Sequence, residues 1–515
     1  MPDWIEKIIS LGGEVVNAIP FLSREASHTV INLAVGATRT RPHPWSTFRP
    51  YTSWRGLTDR SYLARHLPPV ALQNLPDPKQ VQELFVRPPG PQKLSRKSTC
   101  LFPAFAQYLT DGFIRTSTNP IDPAKTTSNH EIDLCPLYGR TPEQTDILRL
   151  KSNALGTRGK LKSQKINGEE YAPYLYINDG TEMDRTYAGL DPPLFGPDGA
   201  PPPARLKTLF AFGGDRANST PFSAMMNTLL LREHNRVSGA LEAQHEDWDD
   251  DRVFETARNI LIPIFIKIVI EQYIHHIAPV PFKVVADPSV AWTASWNRPN
   301  WMTAEFSLLY RWHSLMPDAI KWPGSDDIPL GSFGLNNEPL TRVGLYGAFA
   351  AASAQAAAEL GALNTSAALL WIEERAVLQA RANQLDTYNN YCRAFGKIPA
   401  GSFSDFSTNP AIVAKLQRLY GTPDQVEFYP GLFAEDRVKN SPLPGLLMTM
   451  VAVDAFSQAL TNPLLSEHVF NDATFTPWGL QLINETPSLG AIVARNVPNQ
   501  VIRPIAMTQP NWRPE

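Results

Sequence analysis

Ala304-Glu305-Phe306-Ser307-Leu308-Leu309-Tyr310-Arg311-Trp312-His313-Ser314-Leu315-Met316-Pro317-Asp318 begins as a run that a helix accepts and stops at Pro317, which a helix interior does not. Tyr310 precedes His313 at the i, i+3 spacing, and residues so placed share one helix face. The spacing therefore predicts a phenol and an imidazole looking into the same space. Two readings are open. The plainer is an aromatic helix face with a satisfied core histidine, and spacing alone favours it. The other is a tyrosine beside an imidazole that holds an iron, a pair able to generate radicals.

The bulk properties bound the rest. A chain of 515 residues with 43% hydrophobic residues can bury a large core, as several domains or as one large helical enzyme. A net charge of −3 gives no reason to expect nucleic acid as a partner. Cys100, Cys135 and Cys392 lie far apart without metal-ligand spacing, which suits a reducing, cytoplasmic setting and no disulfide framework. No signal peptide is expected, because the start lacks a basic n-region and Glu6-Lys7 interrupts the apolar run. No apolar run spans a bilayer; the longest, 260–270, carries Pro263 and Lys267.

Five ordered segments change the weighing of the first stretch. They are Ala104-Phe105-Ala106-Gln107, Leu231-Arg232-Glu233-His234-Asn235-Arg236-Val237, Tyr310-Arg311-Trp312-His313, Tyr388-Asn389-Asn390-Tyr391 and Glu427-Phe428-Tyr429-Pro430-Gly431-Leu432. Together they resemble the cyclooxygenase and fungal fatty-acid dioxygenase group of the animal-type haem peroxidases, over nearly the whole chain. The resemblance implies a mainly α, helical globule: a catalytic domain over 41–515 preceded by a membrane-contacting segment over 1–40. It implies haem b held by His313, with Asn389 accepting the Nδ1 proton of that histidine. Tyr310 becomes the radical residue. The epidermal-growth-factor-like module found in animal relatives, with its cysteines, is not seen in this sequence.

In the amino-terminal segment Trp4, Ile8, Leu11, Val15 and Ile19 recur at helical spacing, broken by Gly12-Gly13 and Pro20. Such short amphipathic pieces suit insertion into one leaflet as well as packing on the protein's own core. The resemblance favours peripheral, monotopic membrane contact. Counted back from Ser53-Trp54, Arg24 falls on the family's carboxylate-binding arginine, and a guanidinium matches a carboxylate as a fork.

Gln107 should lie on a helix beginning near Phe102. Where the family has its distal histidine, this sequence has Asp111, a poorer base at neutral pH unless its environment raises its pKa. Weak or altered peroxidase activity is the expectation. Arg216, in Gly213-Gly214-Asp215-Arg216, resembles the distal arginine of myeloperoxidase-like enzymes and plant α-dioxygenases, and it would face Asp111 across the haem. Around Asp133 the family's calcium position carries Cys135 in place of a hydroxyl ligand, so calcium is not expected. Further helices are expected over 253–276, 340–360, 366–383 and 446–460, with a hairpin at Asn167-Gly168. Ser457 falls on the channel serine of cyclooxygenases, and Val453 stands where they have glycine, narrowing the channel.

The function so implied is dioxygenation of a long-chain polyunsaturated fatty acid with O2, giving a hydroperoxide by way of a Tyr310 radical. Arg24 holds the carboxylate, Ser457 and Val453 shape the pocket, and Gln107, Asp111 and Arg216 serve the peroxide side. A true cyclooxygenase, a haem peroxidase of small reductants and a catalytically silent lipid- or haem-binding relative are the alternatives. Dimers occur among relatives, so a homodimer is within the expectation.

Overall fold

The computed structural model describes residues 16–17, 19–36, 51, 53–118, 121–497 and 504–514, and helices dominate it. Those that frame the core and the site are, in chain order, α1 (Pro20–Gly36), α2 (Leu101–Asp111), α3 (Pro221–Gln244), α4 (Asp250–Ile268), α5 (Glu338–Ala354), α6 (Leu370–Ala382), α7 (Tyr388–Ala394), α8 (Phe428–Ala434), α9 (Gly445–Leu460), α10 (Asp472–Glu485) and α11 (Leu489–Asn496). Among the described residues, strands form only two-stranded antiparallel pairs, such as β1 (Leu94–Thr99) with β2 (Ala356–Ala358). The mainly α architecture read from the sequence is the one the chain adopts.

Helix α3 is the axis of the core. The Thr220 side chain accepts from the Ser223 amide, and Pro221 occupies the first turn, where a missing N–H loses nothing. Phe222, Met225, Met226, Leu229, Leu230 and Val237 form one buried apolar face, and every residue from Pro221 to Asn235 is buried, so these turns are enclosed on all sides. Helices α2, α4, α5 and α11 enclose it. Each large aliphatic side chain closed off in this way contributes roughly 1.5–3 kcal/mol. The Arg232–Arg236 cluster on α3 is structural, as its charge density suggests. Glu233 takes Arg236, Arg495 and Asn496, and Arg232 pairs with Glu169 at 2.8 Å, tying α3 to α11 and to the Asn167-Gly168 hairpin.

Helix α4 starts on an Asp249 cap, with Asp250 and Asp251 in its first turn, where acidic groups favour the helix dipole. The sequence predicts one helix to His276. The chain instead passes through a π-helical turn over Val269–Ile274 before a last turn at His275–Ile277. Such a turn rotates the faces that follow it, and Tyr273 lies within it. His276 is held between Ser98 and Thr508, at 2.9 and 2.8 Å, as a structural residue.

The site-bearing stretch departs from the helix that its spacing predicts. Only Phe306–Leu309 is α-helical; Tyr310 (φ −102°, ψ 25°) and Trp312 (φ −93°, ψ 42°) leave the helix, and His313–Leu315 form a 3-10 turn. The physical reason is a competing donor. The Trp312 indole Nε1 donates to the Leu309 carbonyl at 2.6 Å, taking the acceptor that a further α-turn would have claimed. Tyr310 and His313 therefore stand on an irregular corner of the chain, not on successive turns of one helix.

On α1 the inward face is Ser23, Ser27, Ile31 and Val35, which packs toward α9. Ile19, Phe21, Leu22 and Leu33 are exposed. The expected amphipathic stripe at Trp4, Ile8, Leu11 and Val15 lies outside the described residues. No helix among those described is long and apolar enough to cross a membrane.

Candidate functional site

His313 turns Nδ1 toward Glu373 on α6, 3.2 Å from Oε1, which leaves Nε2 as the ring nitrogen available to an iron. Glu373 is almost wholly enclosed. Thr365 Oγ1 donates to Oε1 at 2.9 Å, and the Tyr429 phenol, on α8, donates to Oε2. This place was assigned to Asn389 by resemblance, and the structure puts Asn389 elsewhere. Its Nδ2 donates to the Ala400 carbonyl and to Asp424, at 2.9 and 2.8 Å, while its Oδ1 accepts from the Ala400 amide. Both ends of the amide are thereby consumed in closing the loop after α7. Glu373 carried no sequence signal, since a glutamate in Trp371-Ile372-Glu373-Glu374-Arg375 reads as an exposed helix position. Tyr429 stood inside a recognised segment without a role.

Tyr310 packs against Phe306 and Trp312, with ring centroids 4.7 and 4.9 Å away. Its hydroxyl has no well-formed hydrogen bond, yet it and the Tyr273 phenol are close enough that each perturbs the other's ionisation. Burial holds the Tyr310 phenol well above the usual tyrosine range, with the nearby Asp454 carboxylate adding to the effect. A proton leaves such a phenol readily only together with an electron.

Gln107, Asp111 and Arg216 are the residues assigned to the peroxide side. Gln107 alone among the residues of α2 keeps partial exposure, and its Nε2 donates to Ser219 Oγ at 2.6 Å. Asp111 is buried with Oδ2 unpartnered. Burial pushes its carboxyl up to about 7, against the opposing pull of Arg216 and Arg115. Arg216 donates from Nη1 to the Ile114 carbonyl at 2.5 Å. Arg311 links the two groups electrostatically: Arg216, Asp111, Glu373 and Tyr429 all act on it, and burial brings its guanidinium down to about 10. Its Nη2 bonds Gln379 Oε1 at 2.9 Å while Nε has no partner.

Tyr310, His313, Asp111 and Arg216 are thus drawn around one region through Arg311, whereas Arg24 and Ser457 are already engaged. Arg24 pairs with Asp287 and donates to Ser289 Oγ at 3.0 Å, on the exposed side of α1. Ser457 is buried, and its hydroxyl returns to the Val453 and Asp454 carbonyls of its own helix, at 2.5 and 3.1 Å. Val453 is fully buried on the same helix. At the expected calcium position, Asp133 accepts from Asn129 and from the Cys135 amide, and the Cys135 thiol bonds the Gly112 carbonyl.

The donor set fits a haem. Asp111 Oδ2, Tyr310 Oη, Arg311 Nε and His313 Nδ1 are buried atoms without hydrogen-bond partners, and Asp111 and Arg311 act on one another. His313 Nε2 would hold the iron, and Arg311, whose Nε has no partner, would be a cation for the haem carboxylates.

Comparison with known proteins agrees. The animal haem peroxidase family profile matches residues 125–341 and 375–508. Prostaglandin G/H synthase 2 of Equus caballus is 32% identical over 501 residues, 94% of this chain and 78% of that protein. Prostaglandin G/H synthase 1 of Rattus norvegicus is 32% identical over 473 residues, 88% of this chain and 74% of that protein. Among solved structures, peroxidase A of Dictyostelium discoideum superimposes with a TM-score of 0.70 at 18% identity, over 87% of this chain and 95% of that one. The fatty acid alpha-dioxygenase of Oryza sativa gives 0.68 at 16% identity, over 95% of this chain and 94% of that one. Sequence identity and fold lead to one family: the chain belongs to the animal haem peroxidases, in their cyclooxygenase and fatty-acid dioxygenase group.

Proposed function

We propose that the protein oxygenates a long-chain polyunsaturated fatty acid to a hydroperoxide with O2, using Tyr310 as the hydrogen-abstracting residue. The observation that carries this reading is Tyr310 itself, a buried phenol packed against aromatic rings, on the same corner of chain as an imidazole whose Nδ1 is turned toward the Glu373 carboxylate. Binding alone needs no phenol there. Relatives named prostaglandin G/H synthase and structural neighbours named fatty acid alpha-dioxygenase support fatty-acid oxygenation by this fold.

Haem b, held by His313 Nε2, supplies when bound the one-electron oxidant that converts the Tyr310 phenol to a phenoxyl radical. The electron and the proton would leave the phenol together, toward the group that supplies the oxidant, since the neighbouring Tyr273 phenol is too weak a base to take the proton. The phenoxyl takes a hydrogen atom from a bis-allylic carbon and becomes a phenol again. O2 adds to the carbon radical, and the resulting peroxyl removes the Tyr310 hydrogen to give the hydroperoxide and restore the phenoxyl. Asp111 and Arg216 serve peroxide activation, Asp111 as the base and Arg216 as the cation beside it; Gln107 orients the peroxide from α2. Arg24 is the residue for the fatty-acid carboxylate, which would share the guanidinium with Asp287. Val453 and Ser457 wall the acyl tail from α9, the chain attaches peripherally to a membrane through its amino-terminal segment, and it works as a homodimer.

The test is oxygen uptake by haem-reconstituted protein with linoleate or arachidonate, against Tyr310→Phe. Uptake should fall at least about a hundredfold while haem binding persists; an unchanged rate removes Tyr310 from the mechanism. The 32% identity to prostaglandin G/H synthases favours a second reading, cyclisation to an endoperoxide, which product analysis with arachidonate separates from a single hydroperoxide.

A further inference from the structure

We propose that Glu373 is a positioning residue for the axial ligand: an anionic partner that fixes the His313 imidazole with its proton on Nδ1 and strengthens Nε2 as a donor to iron. The inference rests on the reading of His313 as the haem ligand.

Three observations support it. The Nδ1-to-Oε1 separation of 3.2 Å places charge against the ring, although the oxygen lies off the line of the N–H. Glu373 is enclosed, its side chain 2% exposed, so its field on the ring is little screened by water. Both of its other contacts are donors, the Thr365 hydroxyl and the Tyr429 phenol, and a carboxylate receiving two O–H bonds is held as an acceptor. The amide that the sequence nominated for this task is bound to Ala400 and Asp424. A neutral amide and a carboxylate are not equivalent here. The carboxylate draws the Nδ1 proton harder, makes the imidazole more electron-rich and stabilises ferric over ferrous iron.

A purely architectural role, with Glu373 only fastening α6 to α8 through Tyr429, makes a different prediction, and two variants separate the two. Glu373→Gln keeps the shape and an acceptor for Tyr429 but removes the charge. Tyr429→Phe keeps the charge and removes a competing donor, leaving the carboxylate freer to act on Nδ1. With haem-loaded protein, the measurements are the iron–histidine stretching band of the ferrous form by resonance Raman spectroscopy and the ferric/ferrous midpoint potential. The expected result is opposite displacement. Glu373→Gln lowers the stretching frequency and raises the potential, whereas Tyr429→Phe does the reverse. Displacement in the same direction, or none in either, overturns the inference. Should Glu373→Gln fail to fold, Tyr429→Phe together with Glu373→Asp decides it: a wild-type band in both counts against Glu373. Absence of an iron–histidine band in the wild type, or its persistence in His313→Ala, instead overturns the assignment of His313, a separate failure.

Discussion

The imidazole Nε2 of His66 sits 2.9 and 3.1 Å from the two carboxylate oxygens of Asp454, and both side chains are closed off from solvent. Thr303 adds a hydroxyl to the same carboxylate at 3.2 Å. The pair ties α9, which carries Val453 and Ser457, to the chain before the irregular corner at Tyr310. Hydrogen-bonded pairs of this kind hold two elements in one register, and removing one partner takes a buried hydrogen bond from the other.

Asp454→Ala should therefore destabilise the protein by about 1–3 kcal/mol. Chemical denaturation followed by tryptophan fluorescence measures it. A loss under about 1 kcal/mol would show that the pair adds little to the fixing of α9.

Asp111 sets a pH dependence whose sign follows from its burial. Its carboxyl keeps a proton up to about pH 7 in the folded chain, but only to its model value of 3.8 when unfolded. Between those values the folded chain binds more protons, so this contribution is complete below the lower value and is lost as pH rises through about 7. Relative to wild type, Asp111→Asn should gain on the order of 2–4 kcal/mol between pH 4 and pH 8. Thermal melts at the two pH values check it.

The same group should gate peroxide activation in the opposite sense, because only the carboxylate is a base. The rate of the Soret change on adding a hydroperoxide should rise through about pH 7 in wild type and lose that dependence in Asp111→Asn. Arg216→Gln, which removes the cation opposing the burial effect, should carry the midpoint higher. A midpoint that stays in place would separate Arg216 from Asp111.

Gly344 lies inside α5 at φ +76°, and a Cβ there would meet Glu169 Oε1 at 2.2 Å. Glu169 also holds Arg232 and the Leu345 amide. Gly344→Ala should lower stability by about 2–3 kcal/mol, through backbone strain and displacement of that carboxylate. Urea denaturation measures it, and Gly396→Ala, where positive φ is not accompanied by crowding, should lose less.

Asn389→Ala should reduce stability by about 1–3 kcal/mol, through loss of its bonds to Ala400 and Asp424, and leave the haem spectrum as in wild type. A changed iron–histidine band in this variant would return Asn389 to the axial ligand.

Much of the architecture could be read in advance from local chemistry. The apolar run of 446–460 and the Asn167-Gly168 hairpin are written in neighbouring residues, so periodicity and turn chemistry locate them. Helix α2, carrying Gln107, was anticipated near Phe102 and spans Leu101–Asp111. The continuous helix through Tyr310 was not borne out, because its end depends on an indole folding back onto Leu309. The run from 253 to 276 likewise hides a π turn, since no side-chain pattern distinguishes that register from the α one.

By itself the sequence determined the fold class and the family, because these rest on residue types at short spacing and on ordered motifs. Only the tertiary structure decided which group faces His313 Nδ1, and it chose Glu373, sixty positions away, over Asn389. It likewise joined His66 to Asp454 and gave Asp111 its raised pKa. The reason is that partner choice and desolvation depend on which distant segments the packed core brings together.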